Sequence, residues 1–576
     1  LSPGNGLLET GFLLAGPART GFDGIDMRRP LLLIVSCGFL LAQSATAARP
    51  NVLLICVDDL KPNIGCFGDP LARTPQLDRL AKRGVLFDAA YCNQAVCAPS
   101  RNTLMTGLRP QTLGIYDLGT NFRKAVPDAV TVAQYFRAHG YRTEAMGKIM
   151  HKGHGNGEDA ASWTVPHWTP KAVTYALPES TANPRGAKND NPRGAATENA
   201  DVEDERYADG KVAAEAVKRL ENAAQKPDEP FFIAVGFIRP HLPFVAPKKY
   251  WDLYQSDAIP MPKVTEPPSG APDYAGQFGG ELRQYSGIPE KGNIDDSTTR
   301  RLIHGYYAAT SYTDAQIGRV LDALDASGMA DNTIVILWGD HGWHLGDHRF
   351  WCKHTNYEQA ARIPLIVSAP GKTKGAKTAA MVETADLYPT LAELAGLPAP
   401  KGLDGRSFAN VLADPAAKAR DSIIHVYPRN ALLGRAIRTP RYRLVEWKKP
   451  GADSAEAEFE LYDYLTDPLE TKNLAKEQEE VVKDLRKILA THPEAKPQIK
   501  VDSNKAPAAK PARTMDRKAA FLRRDVNGDG RLTLEEFLDR QPDPDAAPKR
   551  FPVFDADKDG LLTEEEYVKS GKVERK

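Results

Sequence analysis

Stretches that are apolar at every position, each giving way to polar residues, recur through the middle of the chain. The first is Asn51-Val-Leu-Leu-Ile-Cys-Val57, which ends in Asp58-Asp59. Residues 230–236 lead into Phe237-Ile238-Arg239-Pro240-His241, and residues 333–338 lead into Gly339-Asp340-His341-Gly342. A segment with no polar face reads as a strand buried on both sides, as in the centre of a parallel sheet. Residues 140–146, which precede Gly147-Lys148-Ile149-Met150-His151, and residues 363–368 fit the same series. Between these runs, spacing near 3.6 residues predicts helices over 131–139, 212–223 and 301–326. Thr74-Pro75 reads as a capped helix start with proline in its first turn. Alternating strands and helices predict a doubly wound α/β domain over residues 49–421. In such sheets, ligands bind beyond the carboxyl ends of the strands.

From about residue 422 the pattern changes to shorter strands at 436–439, 442–447 and 458–462, followed by a helix at 477–489. This predicts a smaller α+β subdomain over 422–491. Residues 492–515, rich in Pro, Ala and Lys, read as a linker. Two polar, irregular stretches, 160–205 and 255–298, read as insertions in the α/β domain. The first contains an echo, Asn183-Pro-Arg-Gly-Ala187 and Asn191-Pro-Arg-Gly-Ala195, and is a candidate substrate-side lid.

The tail, residues 516–571, follows a third pattern. Asp525, Asn527, Asp529 and Thr533 place oxygen donors at positions 1, 3, 5 and 9 of a loop with Gly530 at position 6 and Glu536 at position 12. Asp555, Asp557, Asp559, Thr563, Gly560 and Glu566 repeat the arrangement. Arg531 and Leu561 stand at position 7, where the backbone carbonyl is the ligand. Two full matches predict an all-α EF-hand pair binding up to two calcium ions, with a structural use at millimolar calcium.

Length and composition narrow the setting. At 576 residues, more than one core is expected. Lys+Arg and Asp+Glu are equal at 75 each, so no general field draws the chain to nucleic acid or to a membrane surface. Residues 1–26 carry no coherent pattern and read as an upstream extension. Met27, Arg28-Arg29, the apolar run 31–42 and Ala45-Thr46-Ala47 form a secretory signal over 27–47, cleaved after Ala47. An exported protein, periplasmic or extracellular, is therefore expected, and no other run is long enough to span a bilayer. Of the six cysteines, Cys37 leaves with the signal. The other five, an odd number, suggest that one has a special task.

Cys97 is the candidate. In Cys97-Ala98-Pro99-Ser100-Arg101 the thiol opens a helix and a fixed cation follows one turn later. Such a place attracts an anion and can activate a nucleophile. The alternative is a small buried side chain in an ordinary turn. The strand ends and their neighbours add Asp58, Asp59, Lys148, His151, His241, Asp340, His341 and Lys353. Acids alone would bind a metal and bases alone an anion. Together they suit metal-assisted attack on a tetrahedral oxyanion such as sulfate or phosphate.

These residues carry a resemblance. Cys97-Ala-Pro-Ser-Arg101 with Thr106-Gly107 resembles the type I sulfatase signature, and the likeness extends over about residues 49–490. Gly147-Lys148-Ile-Met-His151, Gly236-Phe-Ile-Arg-Pro-His241 and Gly339-Asp340-His341-Gly342-Trp343-His-Leu-Gly346 are most similar to the iduronate-2-sulfatase branch. The resemblance implies an alkaline-phosphatase-like sheet domain and an enzyme that removes sulfate from a sulfated saccharide. It implies that a formylglycine-generating enzyme oxidises Cys97 to Cα-formylglycine before folding. It also implies one catalytic calcium held by Asp58, Asp59, Asp340, His341 and the oxygen of modified residue 97.

In the implied chemistry the aldehyde hydrate at 97 attacks sulfur, and its second hydroxyl later expels sulfate. Arg101 and Lys148 pair with the hydrate, His151 is the base, His241 and Lys353 hold the sulfate, and His241 protonates the leaving alcohol. The EF-hand pair is an addition to the family pattern, and the two insertions carry no motif that names the sugar. Two rivals remain at this point: a phosphonate or phosphate monoester hydrolase of the same fold, and an inactive calcium-dependent binding protein.

Overall fold

The computed structural model describes residues 49–181, 193–499, 517–522, 524–525, 529–538 and 547–569. The expected upstream extension, the signal at 27–47, most of the repeated Asn-Pro-Arg-Gly-Ala segment and residues 500–515 of the expected linker lie outside them. Among the described residues, no helix is long and apolar enough to cross a membrane.

Seven strands form the central sheet: β1 (Asn51–Val57), β2 (Val85–Phe87), β3 (Arg142–Gly147), β4 (Phe231–Phe237), β5 (Thr333–Gly339), β6 (Leu365–Ser368) and β7 (Ala376–Thr378). Their order across the sheet is β7-β2-β6-β5-β1-β4-β3. The strands β5, β1, β4 and β3 run parallel, as the buried runs predict. The last strand of the predicted series, β6, instead runs antiparallel to both β5 and β2, so the sheet is mixed.

The apolar run of β1 has a direct physical reason. Val52, Leu54 and Cys56 enter one core and Leu53, Ile55 and Val57 enter the other, on opposite faces of the pleat. The first core is shared with Leu104, Phe136 and Leu391, and the second with Val212, Ile317 and Leu321. The helices α1 (Cys97–Thr106), α2 (Ala208–Ala224) and α3 (Asp296–Ala326) supply several of these partners. Helix α3 starts earlier than predicted, at Asp296, because Asp295 caps it by accepting from the Thr298 N–H.

Register places the chemistry. Val57 pairs with Phe237 on one side and with Gly339 on the other, while Gly147 pairs with Gly236. The chain therefore leaves four neighbouring strands at one level, immediately before Asp58, Lys148, Ile238 and Asp340.

The C-terminal subdomain is a four-stranded antiparallel sheet, β8 (Ile423–Arg429), β9 (Leu432–Arg438), β10 (Tyr442–Lys448) and β11 (Glu458–Asp463). The helix α4 (Glu479–Leu489) packs Val482, Leu485 and Leu489 against it. The start of the expected linker is held down: Lys496 and Ile499 donate backbone N–H groups to the carbonyls of Gln111 and Gly114. In the tail, Arg531–Leu532 pairs antiparallel with Leu562–Thr563, joining the two expected calcium loops, and Phe521, Phe537, Phe551 and Tyr567 form a small core.

Candidate active site

Cys97 is the first residue of α1, a helix with no side-chain cap at its N-terminus and with every residue buried. It ends at Gly107, whose φ of 67° completes the turn. The Cys97 Sγ lies 3.3 Å from His341 Nε2 and 4.0 Å from Asp59 Oδ1. Burial first, and then the charge of Asp58, push its thiol well above the ordinary cysteine range, against the pull of Lys148 and Lys353. The helix-end activation of a thiolate weighed from the sequence is therefore not what this pocket provides.

Around the sulfur, three carboxylates face three cations. Arg101 is wholly buried and donates from Nε to Asp340 at 2.9 Å and from Nη2 to Asp58 at 3.3 Å. Its Nη1 donates to the carbonyls of Lys148 and Ile149, which fixes the turn after β3. Gly147 makes that turn possible: its φ is +73°, and a Cβ there would meet the Gly236 carbonyl oxygen at 1.9 Å. Lys148 Nζ pairs with Asp58, and Lys353 Nζ pairs with both oxygens of Asp59 at 3.0 and 3.1 Å. The backbone N–H of Asp59 donates to Asp340 at 3.0 Å. Asp59 itself has φ 59°, and the residues on either side of Lys353, Cys352 and His354, have φ of 70° and 72°. Left-handed conformations at non-glycine residues each cost about 1–2 kcal/mol, and here they cluster where charged side chains are aimed.

Electrostatics divide the three acids. Burial acts against the charge of Asp58, but Lys148, His241 and Arg101 outweigh it and hold its carboxyl well below the usual range. Asp59 is pushed well above it by burial in spite of Lys353, and Asp340 is pushed up to about 7 by burial and by Asp58. Such a set binds protons or a cation. Its ligand atoms are placed for a cation: those of Asp58, Cys97, Asp340 and His341 lie within 4.8 Å of one another, as do those of Asp58, Asp59, Cys97 and His241.

His341 fits as a ligand because its Nδ1 donates to the Gly342 carbonyl, leaving the Nε2 lone pair 3.3 Å from Asp59 and 3.6 Å from Asp340. The oxygen-rich remainder suits a hard divalent cation such as calcium.

His241 is set by a turn in which Asp209 accepts from the N–H groups of Ile238 and Arg239 at 2.9 and 2.7 Å. The Arg239–Pro240 and Leu242–Pro243 peptides beside it are cis. Its Nδ1 donates to the Leu242 carbonyl, and its Nε2 lies 3.9–4.0 Å from Asp59 and Asp58. Burial and then Lys353 push it down to about 3, against Glu281 and Asp58. His151 stands at the turn after β3, its ring stacked on that of His154. Neither of its ring nitrogens has a hydrogen-bond partner. Burial and Lys148 hold it near 3, so its imidazole is neutral.

One site residue lies outside every motif read from the sequence. Glu281, in the second insertion, reaches Lys353 Nζ at 3.2 Å and His241 Nε2 at 3.4 Å. Arg193 of the first insertion holds the same carboxylate at 3.1 Å. The two insertions thus meet at the site, joined also by Ser286 N–H donating to the Gly194 carbonyl. No sequence signal marks Glu281: it follows two glycines in an irregular stretch.

The expected calcium loops of the tail are distinct from this cluster. Ligand atoms of Asp555, Asp557 and Glu566 lie within 4.8 Å of one another. Asp559 Oδ1 accepts from the Leu561 N–H, and in the first loop Asp529 and Asp525 accept from Arg531 and Gly530. The Glu536 carboxylate accepts from Thr533. Asn527 lies outside the described residues.

Comparison with known proteins matches residues 50–397 to the family described as Sulfatase. Residues 346–495 match "N-sulphoglucosamine sulphohydrolase, C-terminal", and residues 518–539 match an EF hand. Iduronate 2-sulfatase of Mus musculus is 34% identical over 511 residues, covering 75% of this chain and 91% of that protein. The Homo sapiens protein of the same name is 31% identical over 535 residues, covering 80% and 97%. Among solved structures, a phosphonate monoester hydrolase from Silicibacter pomeroyi shares the fold with a TM-score of 0.63 at 22% identity, covering 77% of this chain and 95% of that one. A protein solved with its substrate D-glucosamine-2-N,6-O-disulfate gives 0.61 at 21%, covering 79% and 100%.

Proposed function

Because the chain belongs to the sulfatase family, a group of sulfuric ester hydrolases, we propose that it is an exported enzyme that removes sulfate from a sulfated carbohydrate. In this reading a formylglycine-generating enzyme converts Cys97 to Cα-formylglycine, and Asp58, Asp59, Asp340 and His341 hold one calcium ion. The observation that carries the reading is the buried Cys97 at a helix start, set among carboxylates that are themselves paired with Arg101, Lys148 and Lys353.

Calcium in this cluster supplies positive charge that offsets the carboxylates and an incoming sulfate. An aldehyde at residue 97, as its hydrate, supplies one hydroxyl that can attack sulfur and a second through which sulfate can leave; a thiolate has no such second group. The chain's own residues set the rest. Lys148, paired with Asp58, and the Arg101 guanidinium stabilise charge at the nucleophile. His151 accepts the proton of the remaining hydroxyl. Lys353 Nζ and His241 Nε2 donate to sulfate oxygens. The negative charge of a bound ester draws onto His241 the proton it lacks in the free site, and His241 then passes it to the leaving alcohol.

The test is release of free sulfate from a panel of defined sulfated saccharides. Faster hydrolysis of an aryl phosphonate ester than of the matching aryl sulfate would move the assignment to the phosphonate hydrolases. A protein that binds saccharide and calcium but turns over neither ester would be the inactive binding protein instead.

A second measurement addresses the metal. Asp340, raised to about 7, and Asp59, raised well above its usual range, hold protons in the metal-free site as pH falls. Calcium must displace those protons, so its affinity should weaken as pH drops through about 7 and strengthen above it. Calorimetric titration at pH 6 and pH 8, taken as the difference between the protein and Asp340→Asn so that the tail loops cancel, reads this directly. An affinity independent of pH would contradict the assigned ligands.

A further inference from the structure

Glu281 has no task in sulfate-ester cleavage as set out above, yet it sits against the two residues assigned to the sulfate. Its Oε2 is 3.2 Å from Lys353 Nζ and its Oε1 is 3.4 Å from His241 Nε2. A fixed negative charge there opposes the binding of any anion. Two cations pair with it, Lys353 Nζ at 3.2 Å and Arg193 Nη1 at 3.1 Å, as expected of a carboxylate.

The carboxylate is also held in place. Arg193 Nη1 grips Oε1 at 3.1 Å, and the buried Leu282 anchors the next residue. The Arg283 N–H donates back to the Gly279 carbonyl at 2.8 Å, and Gly279, at φ +84°, lies against Trp351, two residues from Lys353. Glu281 is therefore part of the wall of the site, contributed by an insertion, and not a surface group that swings in.

A sulfate ester held between Lys353 and His241 carries its ester carbon beside these side chains. Because Glu281 touches both groups assigned to the sulfate, it is the acidic group that a substituent on the adjacent sugar carbon would meet. A hydroxyl there donates a hydrogen bond to the carboxylate, whereas a second sulfate or a carboxylate meets like charge.

Resting on the sulfatase reading, we propose that Glu281, oriented by Arg193, forms a specificity subsite that accepts a free hydroxyl vicinal to the scissile sulfate ester and rejects an anionic substituent at that position. A hydrogen bond between a neutral donor and a charged acceptor corresponds to about 10–100-fold in kcat/KM, and rejection of a buried like charge is at least as large.

The test compares three pyranosides with the mature enzyme. They are the best-cleaved monosulfate of the saccharide panel, its analogue lacking the adjacent hydroxyl, and its analogue sulfated at both carbons. Wild type should favour the monosulfate over the deoxy compound by about tenfold or more, and over the disulfate by about 100-fold. In Glu281→Gln the amide oxygen still accepts but the charge is gone. The disulfate penalty should shrink at least tenfold while the deoxy penalty largely remains. In Glu281→Ala both should disappear. If wild type cleaves the monosulfate but discriminates against neither analogue, the subsite is refuted. The same follows if both variants slow all three substrates in equal proportion, which marks Glu281 as a structural link between the insertions. If wild type releases sulfate from none of the panel, the sulfatase reading itself falls and takes this proposal with it.

Discussion

Cys97→Ala should abolish sulfate release while leaving the fold intact. The side chain lost is small, and alanine is the best helix former at the first position of α1, so a loss of only about 1 kcal/mol is expected. The chemical loss is complete because no other residue can supply a group with two exchangeable hydroxyls. The unmodified thiol is no substitute, since burial and Asp58 keep it protonated. Two measurements check this: free sulfate over long incubation and the thermal midpoint. In parallel, the peptide spanning Cys97 from active wild type should carry an aldehyde in place of an alkylatable thiol. Sustained turnover by the alanine variant, or an intact thiol in fully active enzyme, would remove residue 97 from the reaction.

Arg101→Met should be damaging in two ways at once. Methionine fills much of the volume beside Trp338, over which the guanidinium lies at 5.8 Å. It cannot replace the donors to Asp58, Asp340 and the carbonyls of Lys148 and Ile149. Breaking a buried ion pair by removing one partner costs about 3–5 kcal/mol, because the remaining charge is stranded. Activity should fall by about 100- to 1,000-fold or more, since the turn that positions Lys148 loses its anchor along with the charge near the nucleophile. Added calcium should recover part of the stability by taking over the stranded carboxylates, but not the activity. The thermal midpoint with and without calcium, read beside kcat, separates the two effects. A variant of wild-type stability would show that the acids are neutral in the native site.

Much of this site is legible in the sequence for a topological reason. Asp58, Lys148, His241 and Asp340 lie just beyond strands whose apolar runs are unmistakable, and parallel register brings those ends to one level. What escapes the sequence lacks such a marker. Glu281 lies in an irregular stretch, and Arg193, although part of the repeated Asn-Pro-Arg-Gly-Ala segment, meets it only through folding. The reversed direction of β6 is hidden because Leu365, Ile366 and Val367 are buried whichever way the strand runs. The start of α3 is hidden because its first turn, Asp-Ser-Thr-Thr-Arg, is polar and carries no apolar period. The Pro- and Lys-rich composition at 492–499 suggests a free tether, whereas its backbone pairs with residues 111–114.

The burial of the whole of α1 has a consequence for how the protein comes to be active. A modifying enzyme must reach the thiol, and the finished fold gives no access to Cys97, which is 2% exposed. On the proposed reading, maturation is a race against folding that each molecule runs once. Two preparations with the same mass of folded protein and the same thermal midpoint can then differ widely in specific activity. The difference records the conditions of synthesis, and no later refinement of buffer or metal can erase it.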